Sequence, residues 1–138
     1  AGNPLVEFIG EVDDAGKQER YGNALALLFP IDWPEPFGLV MLEANACGTP
    51  VVVARSPGLV DSSRDGVNGL MYDYGDVPSL AERLERLLTD EALRTRLGQQ
   101  AIEWAKQWTW DGAADAMERA IEEPMNEALA DRGRRGQR

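Results

Sequence analysis

Two carboxylates with a glycine between them are the side chains of this 138-residue sequence best placed to do chemistry. Glu35 and Glu43 bracket Pro36-Phe37-Gly38-Leu39-Val40-Met41-Leu42, and Ala44-Asn45-Ala46-Cys47-Gly48-Thr49-Pro50 follows at once. Pro36 restricts Glu35 to extended geometry. Gly38 lets backbone N–H groups come close to a ligand at the positive end of the helix that follows, and such a terminus suits a phosphate. If the helix runs on through Glu43, about eight residues at roughly 1.5 Å each separate the carboxylates by about 12 Å along its axis. Carboxylates are strong acceptors for hydroxyls, so this span suits a ligand with a sugar at each end of a pyrophosphate. A solvated loop acid followed by a helix-surface acid has the same spacing, and spacing does not separate the two readings.

The elements that must hold these residues follow from apolar patterning. Leu25-Ala26-Leu27-Leu28-Phe29 ends at Pro30 and reads as a buried strand, which gives the order strand, loop, helix around Glu35. Val6–Ile9, Val51–Ala54 and Gly69–Tyr72 are the other strand candidates. A short polar helix is expected over Lys17 to Asn23, and the site helix over Phe37 to Cys47, ended by Gly48 and Pro50. After Tyr72 only helices are expected. Leu80, Leu84, Leu87 and Leu88 mark one, capped by Asp76, and Leu93, Leu97, Ala101, Trp104 and Trp108 mark a second, with Asp90 at its start. Trp110, Ala113, Ala114, Met117 and Ile121 mark a third, with Thr109 as cap and Pro124 near its end. Trp104 and Trp108 continue a leucine stripe and read as core rather than as sugar-stacking surfaces, whereas Trp33, beside the site loop, is the better candidate for an exposed aromatic near substrate, with a packing role weighing equally. The predicted fold is α/β, a Rossmann-like parallel sheet with C-terminal helices. It occupies residues 1–130 as one domain, and an Arg/Gly-rich tail over 131–138 is expected to be disordered.

Charge and composition narrow the chemistry. The formal charge is -10, and four of the 14 basic residues lie beyond Asp131. Up to Asp131 the balance is therefore ten basic against 24 acidic residues, a net of -14. Such a surface repels nucleic acid, so bound phosphates must be held by local N–H groups or a few arginines. There is no histidine and only one cysteine, Cys47. A Cys–His nucleophile and an intramolecular disulfide are both excluded, Cys47 reads as a buried small thiol, and a reducing, cytoplasmic compartment is expected. Without histidine or any Asp-x-Asp pair, no metal and no separate cofactor are expected. The longest apolar run, Ala24 to Ile31, is too short to span a bilayer.

Five segments in order carry a resemblance: Val6-Glu7-Phe8-Ile9-Gly10-Glu11-Val12, Ala24 to Pro30, Trp33-Pro34-Glu35-Pro36-Phe37-Gly38-Leu39, Glu43-Ala44 with Ala46-Cys47-Gly48-Thr49-Pro50-Val51-Val52, and Asp65-Gly66-Val67-Asn68-Gly69. Together they resemble the nucleotide-sugar-binding half of retaining glycosyltransferases of the two-Rossmann-domain (GT-B) type, family four. The resemblance implies that Glu35 approaches the donor sugar as the catalytic carboxylate, that Gly38 and Leu39 offer backbone N–H groups, that Phe37 belongs to the same contact set, and that Glu43 binds the ribose hydroxyls. It also implies a nucleotide-sugar as donor substrate and an acceptor held by a separate N-terminal domain. The sequence departs from the family at Ser56-Pro57-Gly58-Leu59-Val60-Asp61-Ser62-Ser63, where a glycine-rich turn and Pro-Glu are usual and only Gly58 and the acid at Asp61 survive. Asn45 stands where methionine is common.

By the same resemblance, Val6–Ile9 is the third strand and Leu25–Phe29 the fourth of a sheet ordered 3-2-1-4-5-6, and the Glu35 loop falls at the switch point where such sheets bind ligands. Strands one and two are then missing, and with them basic residues that neutralise the diphosphate, so a fragment of a longer protein is expected. A gap there leaves strand edges unpaired. It predicts that copies associate, exchange elements, or repack Val6–Ile9 beside Leu25–Phe29. A non-catalytic interaction or assembly module derived from the same domain is the alternative to the enzyme.

Overall fold

A computed structural model describes residues 3–31 and 33–135, with side chains as far as Met125. The chain divides into two compact units, Ala1–Ala105 and Lys106–Arg138. In the first unit the order is α1 (Asp14–Asn23), β1 (Leu27–Phe29), α2 (Leu39–Ala46), β2 (Val51–Arg55), α3 (Leu59–Ser62), β3 (Gly69–Asp73), α4 (Val77–Thr89) and α5 (Glu91–Ala105). The second holds α6 (Trp110–Arg135).

The three strands form one parallel sheet in the order β1-β2-β3, with Leu27 opposite Val51 and Val51 opposite Gly69. Parallel neighbours need crossovers, and α2 and α3 supply them. β2 is central, and its run Val51-Val52-Val53-Ala54 is fully buried, as expected of a parallel strand covered on both faces. Alternation splits the run between two cores. Val51 and Val53 join Ile31, Met41, Ala44, Leu59 and Met71 on one face, while Val52 and Ala54 join Leu70, Tyr72, Leu87, Leu93 and Leu97 on the other. Gly69 and Gly98 are fixed by close approach, since a Cβ would come within 2.2 Å of the Val51 carbonyl oxygen and 2.5 Å of the Gly48 carbonyl oxygen respectively.

The caps read from sequence hold. Asp76 accepts from the Ser79 N–H at 3.0 Å, Asp90 from Leu93 at 2.9 Å, and Thr109 from Gly112 at 3.0 Å.

Several expectations change. Val6–Ile9 is not a strand and does not pair with β1: Leu5 and Phe8 are more than nine-tenths exposed, and Val6 bonds back to the Asn3 carbonyl in a turn. A parallel strand at that place would be covered on both faces, and the Glu7 carboxylate would have to be buried without a partner. β1 starts at Leu27 rather than Leu25 because pairing begins with the Leu27 N–H on the Pro50 carbonyl, and Leu25 is exposed. α1 starts three residues earlier than Lys17, since the Asp13 carboxylate caps it through the Gly16 N–H. Trp108 is exposed rather than core. Pro124 lies inside α6 rather than near its end, and the backbone of the expected tail from Asp131 continues that helix to Arg135. Proline removes one N–H donor, and the Ala, Glu, Met, Leu and Arg residues around it are strong helix formers. Residues 136–138 of that tail lie outside the described residues.

Candidate functional site

Pro30 ends β1, and the following loop turns back on itself before α2. One oxygen of the Glu35 carboxylate accepts from the Gly38 N–H at 3.0 Å and the other from the Trp33 indole N–H at 3.2 Å. Gly38 sits in the left-handed region at φ 74 and caps α2, whose first turn closes with the Met41 N–H on the Gly38 carbonyl. A side chain there would be strained, and its Cβ would lie 2.6 Å from the Met41 methyl. The left-handed glycine also explains why the helix starts at Leu39 rather than Phe37. Leu39 is exposed at the first helical position, and like Val40 it has no intrahelical acceptor for its N–H.

The start of α3 clamps this loop from behind. Gly58 has an ordinary helical backbone at φ -73, so conformation does not require glycine there. Space does: a Cβ would come within 2.0 Å of the Glu35 carbonyl oxygen and 2.6 Å of the Pro36 carbonyl oxygen. The Ser62 hydroxyl, at the end of α3, donates to the carbonyl of half-buried Phe37. Asp61 is exposed.

Glu43 lies further along α2 with partners of its own. Lys17 Nζ donates to one of its oxygens at 3.5 Å and the Tyr21 hydroxyl to the other at 3.3 Å, both from α1. Asp14 holds the same ammonium at 2.9 Å. The Lys17 ammonium lies above its ordinary pKa, first through its hydrogen bond to Asp14 and then through the charge of Glu43. Burial raises the Tyr21 phenol, and the Glu43 charge adds to it. Asp14, Lys17, Gln18, Tyr21, Glu43 and Cys47 line a cleft of about 190 Å³. Cys47 is therefore half-buried at a cleft wall rather than sealed in the core.

Behind the site, Asn45 and Asn68 are fully buried and bonded to each other. The Asn68 amide donates to Asn45 Oδ1 at 2.6 Å and to the Ser62 carbonyl at 3.1 Å, while Asn68 Oδ1 accepts from the Arg64 N–H at 2.7 Å. The Asn45 amide donates to the carbonyls of Thr49 at 3.0 Å and Asn68 at 3.2 Å. Both amides are thus satisfied at every N–H and at their oxygens. The polar residue at 45 ties α2 to α3 and to the turn before β3.

Of the five residues singled out from sequence, Glu35, Phe37, Gly38 and Leu39 form one loop and helix start. Glu43 stands apart on the same helix, facing α1. The arrangement offers a carboxylate and a helix N-terminus at the carboxyl end of a parallel strand, then a second carboxylate beside a small cleft. Sequence reasoning missed Lys17 and Tyr21; their four-residue separation within a polar helix was the available signal. Among the described residues no group of three or more His, Cys, Asp and Glu side chains could hold a metal ion, and no helix is long and apolar enough to cross a membrane.

The fold has counterparts among known proteins. A D-inositol 3-phosphate glycosyltransferase of Corynebacterium jeikeium is 40% identical over 104 residues, 75% of this chain and 24% of that protein. The chain thus spans about a quarter of the length of this curated relative. Among solved structures, sucrose-phosphate synthase from Thermosynechococcus elongatus superposes with a TM-score of 0.75 at 30% identity, covering 88% of this chain and 30% of that one. Anabaena HepE, solved in complex with UDP, superposes with a TM-score of 0.61 at 27% identity over 80% of this chain and 29% of its own. The family described as glycosyl transferases group 1 matches residues 3–104, and the chain belongs to it.

Proposed function

We propose that this chain is the donor-binding part of a retaining glycosyltransferase, which moves a sugar from a nucleoside diphosphate to an acceptor held by another domain of the same protein. Glu35 approaches the donor sugar, Phe37, Gly38 and Leu39 shape the phosphate end of the pocket, and Glu43 takes the ribose hydroxyls. The observation that carries this reading is the placement of the loop and Glu43 on one helix at the carboxyl end of β1, the edge strand of the sheet. Ligands of doubly wound sheets bind at that end of the strands. Gly38 already gives its N–H to Glu35, which leaves the N–H groups of Leu39 and Val40 as the helix-terminal donors for a phosphate. HepE, the relative solved with UDP and with UDP-glucose, supports a nucleotide-sugar as the ligand class.

Donor binding by this site needs no divalent cation, because the sequence offers neither histidine nor an Asp-x-Asp pair. The reaction takes place in the cytoplasm, the compartment that the lone cysteine suits. The outer edge of β1 is where a further strand, from the rest of the protein or from a second copy, would pair.

Isothermal titration of the chain with UDP, GDP and ADP tests the reading. One of the three should bind, and chelator should leave its affinity unchanged. Glu43→Ala should weaken it by about 1.5–3 kcal/mol, the loss of a charge-assisted hydrogen bond. If none of the three binds, or if Glu43→Ala leaves affinity unchanged, the assignment is wrong.

A further inference from the structure

The structure assigns Lys17 and Tyr21 as positioning residues that fix the Glu43 carboxylate for the ribose, an inference that rests on the ribose role of Glu43 proposed above. A glutamate on a helix surface samples several rotamers, and ordering it costs conformational entropy each time a ligand needs it in one place. Here the ordering is done by the neighbouring helix. Lys17 and Tyr21 are four residues apart and share one face of α1, and each reaches a different oxygen of Glu43. Lys17 is itself anchored by Asp14 one turn earlier, and Tyr21 is anchored by packing against the core cluster around Met41 and Val51 and by its carbonyl, which accepts from the Thr49 hydroxyl.

The chemistry of the two donors matters as much as their placement. An ammonium and a phenol each donate a hydrogen bond to the carboxylate and leave it lone pairs to accept from ribose hydroxyls at the cleft it lines.

The test compares binding of two nucleotides, the tightest-binding of UDP, GDP and ADP and its 2′,3′-dideoxy form, to the chain and to Tyr21→Phe, Lys17→Met and Lys17→Arg. The parent chain should prefer the nucleotide that carries ribose hydroxyls. Tyr21→Phe and Lys17→Met should each cut that preference by about threefold to tenfold, the ordinary net worth of one hydrogen bond. Affinity for the dideoxy form should barely change, and Lys17→Arg should recover part of the preference. A merely structural role would weaken both nucleotides alike. If Glu43→Ala abolishes the preference while Tyr21→Phe and Lys17→Met keep it in full, the positioning role is overturned and the ribose role stands. If the parent chain itself shows no preference, the ribose role of Glu43 falls first.

Discussion

The buried Asn45–Asn68 pair gives the sharpest test of how the site helix is held. Asn68→Leu keeps the branching of the side chain and removes its amide. Asn45 Oδ1 and the Arg64 N–H then lose their partner, whereas the Ser62 carbonyl keeps the bond from the Trp104 indole at 2.9 Å. Each buried group left unpaired costs about 1–3 kcal/mol, and Arg64 is exposed enough to regain water, so the single variant should lose about 1–3 kcal/mol. Asn45→Leu orphans the Thr49 carbonyl and one N–H of Asn68, while the Asn68 carbonyl keeps the Val51 N–H; a loss of about 2–6 kcal/mol is expected. In the double variant the two groups that faced each other are both gone. Its loss should fall short of the sum by about 2–6 kcal/mol, the two penalties that the single changes inflict on the amide left behind. Denaturant unfolding followed by circular dichroism measures this, with midpoints compared at constant slope. A coupling below about 0.5 kcal/mol would mean that the amides act independently and that the pair does not fasten α2 to α3.

Glycines at two positions should respond in opposite directions. Gly58→Ala must push α3 off the Glu35–Pro36 backbone by a distance on the order of 1 Å to restore normal contact, costing about 1–3 kcal/mol and weakening nucleotide binding in calorimetry. Gly22→Ala, in α1 with nothing within 4 Å of the new methyl, should stabilise by up to about 1 kcal/mol. Thermal melts of both variants check the signs, and equal behaviour would undo the steric account. A third expectation concerns alkaline pH. Burial raises the phenols of Tyr21 and Tyr72 above their ordinary value of 10.0, so the unfolded chain gives up these protons first and stability falls as pH rises beyond that value. Tyr72→Phe should flatten the decline above pH 10 in a denaturation series, and an unchanged slope would refute it.

How much of this was legible in the sequence depended on how local each cause is. The Glu35 loop, the glycine at the helix start and the caps at Asp76, Asp90 and Thr109 are set by residues within a few positions of one another, and each was readable. Val51–Ala54 was readable too, because burial on both faces leaves a continuous apolar run. Val6–Ile9 looked much the same, but a strand exists only where a neighbour completes its ladder, and nothing within the run states whether one is present. Long-range pairings were invisible for a related reason. Asn45 meets Asn68 across 23 residues and Lys17 meets Glu43 across 26, and neither polar residue carries a mark naming its partner. The extension of α6 past Pro124 was missed because proline was weighed as a stop, although it removes only one donor.

The indole of Trp33 bonds directly to the carboxylate proposed to meet the donor sugar, and this makes the site optically addressable. Tryptophan emission responds to the polarity and hydrogen bonding of the ring, so any ligand that draws Glu35 away from Trp33 alters the spectrum at the point of contact. Of the four tryptophans in the chain, Trp104 is engaged elsewhere with Ser62, and Trp108 and Trp110 lie in the second compact unit. Replacing those three by phenylalanine would leave one tryptophan reporting on one carboxylate, without an added label and without altering any residue assigned to the pocket.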